Sequence, residues 1–95
     1  MDISTSSNIV NITGSIKSVS DYQSVKTTMD KLKSNNSNII VNIKDSISIT
    51  SSVIGYFNKL VLKDKINLQI NMGNDQLMEL FSDLHLVDLF KAKKI

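Results

Sequence analysis

The apolar pattern of the 95-residue chain predicts an α/β domain, a mixed, mainly parallel sheet of four to five strands with about four helices. Three stretches carry that expectation. Asn38-Ile39-Ile40-Val41-Asn42-Ile43 is dense in β-branched residues without clean alternation, the pattern of a strand buried on both faces and internal to the sheet. Val53, Ile54, Phe57, Leu60 and Val61 recur at helical spacing, one stripe of an amphipathic helix. Ile66 to Met72 alternates apolar and polar residues throughout, which gives a strand one buried face and one face toward water or a partner.

The remaining elements follow in order. Asp2 to Ser7 is polar, with only Ile3 to pack, and is at most an edge strand. Asn8-Ile9-Val10-Asn11-Ile12 is a strand, turned by Thr13-Gly14-Ser15, where Gly14 supplies a positive φ. Ser20 with Gln23 fits a capping box, and Val19, Tyr22, Val25, Met29 and Leu32 form a stripe, so the first helix is expected from about Asp21 to Lys33. Asn35-Asn36-Ser37 closes it. Right-handed crossovers then put the helices on one face of the sheet and leave Asn67, Gln69 and Asn71 on the other. Gly73-Asn74-Asp75 starts a helix carrying Leu77, Met78, Leu80 and Phe81, and a last short helix carries Leu86, Val87, Leu89 and Phe90. Met72, Met78, Phe81 and Phe90 read as core at these spacings.

Between the central strand and its helix lies the segment richest in chemistry. Lys44-Asp45-Ser46 ends the strand, Ile47 and Ile49 continue an apolar thread, and Thr50-Ser51-Ser52 falls where the helix begins. Hydroxyl side chains there satisfy orphan backbone N–H groups, so N-capping is the plain structural reading. A phosphate on the same residues would meet free N–H groups and the positive end of the helix dipole.

Val41 to Gly55, Val-Asn-Ile-Lys-Asp-Ser-Ile-Ser-Ile-Thr-Ser-Ser-Val-Ile-Gly, resembles the core signature of STAS domains, the fold of bacterial anti-sigma-factor antagonists. In that family a hydrophobic strand ending in an Asp-Leu-Ser-like turn leads to Asp-Ser-Ser-Gly-Leu-Gly at a helix start. Ile12-Thr13-Gly14-Ser15-Ile16 resembles the family's early strand-plus-Gly segment, and Leu77 to Phe90 resembles its C-terminal helix pair, so the likeness spans nearly the whole chain. It implies a single STAS-like domain over residues 1–95, with residues 91–95 as a basic tail. It also implies a cytoplasmic, non-enzymatic signalling module that acts in transcription regulation by partner switching. The phosphorylated residue of the switching members maps to Ser51, with Thr50 and Ser52 as neighbouring candidates. The partner surface maps to Asp45, Ser46, Ile47, Ser48, Thr50, Ser51, Ser52, Ile54, Tyr56 and Phe57. Thr50 stands for the motif's Asp, Val53 for its Gly, and Asn42 for the strand's Asp. A kinase that reads that Asp loses a contact at Thr50.

Composition narrows the remaining classes. All eleven basic residues are Lys, and bidentate phosphate or guanine recognition relies mostly on Arg, so a sequence-reading nucleic-acid module is not expected. The net charge is +2, and Lys91, Lys93 and Lys94 lie in the last five residues, so the body is nearly neutral and the tail reads as a solubilised, frayed end. No cysteine points to an oxidising compartment, no apolar run is long enough to span a bilayer, and Met1-Asp2-Ile3-Ser4 lacks the features of a signal peptide. His85 has no second His or Cys to complete a metal set, and the three glycines match no phosphate cradle, so neither catalysis nor a cofactor is expected. Three functional readings stand. One is a partner-switching protein that binds a serine-kinase anti-sigma factor, or a similar ATPase-fold protein, and is released by phosphorylation at Ser51. The second is an accessory subunit docked on a membrane-transport ATPase without phosphorylation. The third is a domain that self-associates through the Ile66–Met72 strand or its open face.

Overall fold

A computed structural model describes residues 1–95. Five strands form one sheet in the order β1-β2-β3-β4-β5: β1 (Asp2–Ser6), β2 (Ile9–Thr13), β3 (Asn38–Ile43), β4 (Asn67–Met72) and β5 (Lys93–Lys94). The β1–β2 pair is an antiparallel hairpin, and the other three pairings are parallel. Helices α1 (Val19–Lys33) and α2 (Ser51–Leu62) cross over between parallel strands, and α3 (Asp75–Asp83) follows β4. This is the α/β sheet the periodicity predicts, with β3 at its centre.

All the buried strand residues point to the helices. Val10 and Ile12, then Ile39, Val41 and Ile43, then Leu68, Ile70 and Met72 join Val25, Met29, Phe57, Leu60, Leu77 and Phe81 in one apolar cluster. Leu32, Val61 and Met78 pack at its margin, only partly buried. The opposite face carries no helix. There Asn11, Asn42 and Asn71 stand side by side across three strands, as do Ile9, Ile40 and Gln69.

Several expectations need correction. The central strand is buried on one face, not two, because Ile40 is an aliphatic residue on the uncovered face and its presence conceals a true alternation. The capping box is Ser18 with Asp21, not Ser20 with Gln23: the Asp21 N–H donates to Ser18 Oγ at 3.0 Å, and the Ser18 N–H donates to the Asp21 carboxylate at 3.2 Å. The helix therefore begins two residues earlier than expected, and Val19, at its first position, is 76% exposed instead of joining the stripe. There are three helices rather than about four. Leu86 to Phe90 is a run of hydrogen-bonded turns, too short for a helix and ended by Lys91 at φ 48°. Finally, the basic tail is not frayed. Lys93 and Lys94 pair with Asn71 and Met72 as a fifth strand.

That C-terminal return has a clear cause. After α3 the chain adopts a left-handed conformation at His85 (φ 58°), and the Leu86 N–H donates to the Phe81 carbonyl at 2.9 Å, a Schellman-type close. The turns then drive Phe90 into the core between Phe57 and Phe81, with ring centroids 6.1 and 5.9 Å away. Aromatic pairs at such distances contribute beyond their area burial. Phe57 thus meets both the sheet and the C-terminal segment. Truncating it to Ala is expected to cost roughly 3–5 kcal/mol by chemical denaturation, and a loss below about 1 kcal/mol would mean that the site collapses around the change.

Candidate functional site

The three loops at the carboxyl ends of β2, β3 and β4 lie together, and each leads into a helix. In the first, Gly14 adopts φ +82°. Its N–H donates to the Asp45 carboxylate at 2.7 Å, and its carbonyl accepts from the Ser46 hydroxyl. In the third, a Cβ on Gly73 would lie 2.1 Å from the Lys44 carbonyl oxygen, so only glycine lets that backbone approach. Residues 44–46 are therefore the tie between all three loops.

From that tie the chain rises through Ile47 and Ser48, both exposed, to Thr50. Thr50 is the N-cap of α2: its backbone is extended, and its hydroxyl accepts from the Val53 N–H at 3.3 Å. Ser51 and Ser52 occupy the first two helical positions, where backbone N–H groups precede the intrahelical ladder. Both side chains are exposed, and no acidic residue lies in the first turn. The nearest carboxylate in sequence, Asp45, is engaged by Gly14.

The ten residues of the expected partner surface divide accordingly. Asp45, Ile47, Ser48, Ser51 and Ser52 are exposed, and Thr50 and Ile54 are partly so. Ser46, Tyr56 and Phe57 do not present side chains to a partner, because all three are buried. Ser46 is held inside by its bond to Gly14, and Phe57 by the aromatic cluster.

Tyr56 has a separate structural task. Its hydroxyl donates to Asp30 of α1, and Asp30 also pairs with Lys26 at 3.0 Å and Lys33 at 3.5 Å. Lys33 reaches on to Asp64 at 3.0 Å. Burial, and then the neighbouring Asp30, push the Tyr56 hydroxyl well above its ordinary titration range, so it stays a donor. For Asp30, burial works to raise the carboxyl, but the bonds from Tyr56 and Lys26 and the two lysine charges outweigh it and hold the group below its usual value. The hydrogen bond that Lys33 donates to Asp64, partly opposed by burial, raises Lys33. This network pins α1 to α2.

The pinning also brings two residues of the expected α1 stripe, Val19 and Tyr22, to the surface beside α2. A shallow cleft between the starts of the two helices is lined by Lys17, Val19 and Tyr22 on one side and Thr50 and Ser52 on the other. The Ser18–Asp21 capping box is the signal that marks Val19 as a first-turn, outward residue. Asp21, held below its ordinary value first by the Lys17 backbone N–H, is committed to that cap. Val19, 76% exposed, thus flanks the hydroxyl-rich start of α2, and Ile47, 55% exposed, lies on the loop that leads into it.

His85 is exposed, and no three His, Cys, Asp or Glu side chains are grouped to hold a metal ion. No helix is long and apolar enough to cross a membrane. No family model matches the chain, and neither the curated proteins nor the solved structures contain a significant match to it.

Two measurements probe the helix start. Thr50→Ala is expected to lose about 0.5–2 kcal/mol of stability and Thr50→Ser to retain most of it, since only the capping oxygen matters. Gly55 is exposed in mid-helix, with nothing within 4 Å of an added Cβ. Gly55→Ala should therefore raise stability by roughly 0.5–1 kcal/mol, read as a higher denaturation midpoint; a decrease would mean that the helix is not continuous there.

Proposed function

We propose that the chain is a protein–protein interaction module of the anti-sigma-factor-antagonist type, binding a serine-kinase anti-sigma factor or a similar ATPase-fold partner through the start of α2. The observation that carries this reading is the position of Ser51: exposed, at the first turn of a helix, behind a dedicated Thr cap and on the chain just after the exposed Ile47. The resemblance of residues 41–55 to the STAS signature supplies the partner class. Ser51 has no other structural duty, because Thr50 performs the capping. Phosphorylation would add a charge of about −1.5 to −2 at the edge of the contact, disrupting a close-packed partner without unfolding the helix.

One observation favours a second reading. With no acidic residue in the first turn of α2 and Asp45 engaged elsewhere, a kinase finds no carboxylate beside Ser51. That suits docking on a transport ATPase without a phosphorylation step.

Affinity capture followed by phosphate mapping separates the two. The first reading expects recovery of a kinase with an ATPase fold and, with ATP, phosphate on Ser51. Ser51→Asp should then weaken binding while leaving the thermal midpoint nearly unchanged, since a negative charge at a helix N-terminus is favourable by about 0.3–1 kcal/mol. Ser51→Ala should keep binding and lose phosphate incorporation. Phosphate on Thr50 or Ser52 would move the site by one residue. Binding to a transporter subunit with no phosphate anywhere would establish the second reading.

A further inference from the structure

The uncovered face of the sheet is built from side chains that bond to one another. Asn42 donates to Asn11 at 3.1 Å, Asn71 to Asn42 at 2.8 Å, and Gln69 to Asn71 at 3.0 Å. Toward the other end of the strands, Asn67 donates to Asn38 at 2.8 Å, and Lys91 folds over to Asn67. Amid these amides, Ile9 and Ile40 stand opposite each other on β2 and β3, an apolar spot near the centre of a polar face. Strand register also assigns the charges. Asp2 pairs with Thr13, so it lies on this face at the β1 edge; Lys93 pairs with Asn71, so it lies on the same face at the β5 edge. Both are exposed, and neither is in an ion pair within the chain.

We propose that this face is a self-association surface whose occupant is the same face of a second copy, related by a two-fold axis running along β3. That operation places Ile40 on its own symmetry mate, the β2 amide over the β4 amide of the partner, and the β1 edge with Asp2 over the partner's β5 edge with its lysine. The alternative two-fold, perpendicular to the strands, stacks each edge on itself and sets lysine against lysine. Charge complementarity therefore selects the first, an isologous contact in which every opposite-charge pair occurs twice. At roughly 4.8 Å between strands the face is only about 19 Å wide, which puts the contact at the small end of specific interfaces and makes it weak and concentration-dependent. This proposal is independent of Ser51, which lies at the helix starts.

Sedimentation equilibrium on the full chain from about 10 μM to 1 mM tests it. The wild type should form dimers that dissociate as salt rises from about 50 to 500 mM. Ile40→Lys should weaken association by at least roughly tenfold, while Val19→Lys, on the other surface, leaves it unchanged. Should Ile40→Lys disturb folding, as read by its thermal midpoint, the charges provide a second test. Asp2→Lys should weaken the dimer, and Asp2→Lys combined with Lys93→Asp should restore it. A wild type that stays monomeric at 1 mM would overturn the proposal, leaving the face to water or another occupant. So would a dimer indifferent to Ile40→Lys, or one that the paired charge swap fails to restore.

Discussion

Where the helices begin depends on the carboxyl end of β3. Ser46 is fully buried, and a buried hydroxyl without a partner is destabilising by about 1–3 kcal/mol, so its bond to the Gly14 carbonyl is close to obligatory. Asp45 takes the N–H of the same glycine, and the Lys44 carbonyl fills the space where a Gly73 side chain would be. Three consecutive residues thus fix the turns after β2, β3 and β4 against one another. Each turn then reaches a capped helix: Ser18 for α1, Thr50 for α2 and Asn74 for α3. The starts of α1 and α2 converge because the strands are parallel and the loops are tied, not because the helices attract one another there.

Away from that end, the helices are held by two different kinds of contact. Between α1 and α2 the link is polar: Tyr56 is buried, but the charged groups of Asp30, Lys33 and Asp64 are partly solvated, so the individual ion pairs contribute little and the network mainly fixes orientation. At the other flank the link is aromatic and dry. Phe57, Phe81 and Phe90 draw the C-terminal turns onto α2 and α3, which delivers Lys93 and Lys94 to the edge of β4. The fifth strand exists because Phe90 is buried five residues from the end of the chain.

Legibility in the sequence followed the strength of each signal. The stripe of α2 and the alternation of β4 are strong periodic patterns, and the elements appear where those patterns put them. The alternation of β3 was obscured by Ile40 alone, because an aliphatic residue on an open face cannot be told from a core one by period. The start of α1 is ambiguous in sequence because two Ser residues, Ser18 and Ser20, each precede an acceptable partner by three. Only geometry shows that Asp21 turns back to Ser18. A start at Ser20 would put Val19 outside the helix and conceal one side of the cleft beside Ser52. In the candidate site the exposed hydroxyls were readable from sequence. The burial of Ser46 and Tyr56 was not, since it depends on Gly14 and Asp30, each distant in sequence.

The two exposed surfaces differ in what they ask of a partner. The amides of the open face satisfy one another, so water can cover that face without leaving donors or acceptors unpaired, and association there is optional. The helix-start surface instead exposes isolated aliphatic side chains, Val19 and Ile47, together with the Ser51 and Ser52 hydroxyls, which have no capping duty. A contact there gains by covering apolar area and is vulnerable to one added charge. Asn11, Asn42 and Asn71 point away from the helix layer, with the sheet itself between them and Ser51. Charge placed on Ser51 is thus separated from the amide face by the thickness of the sheet.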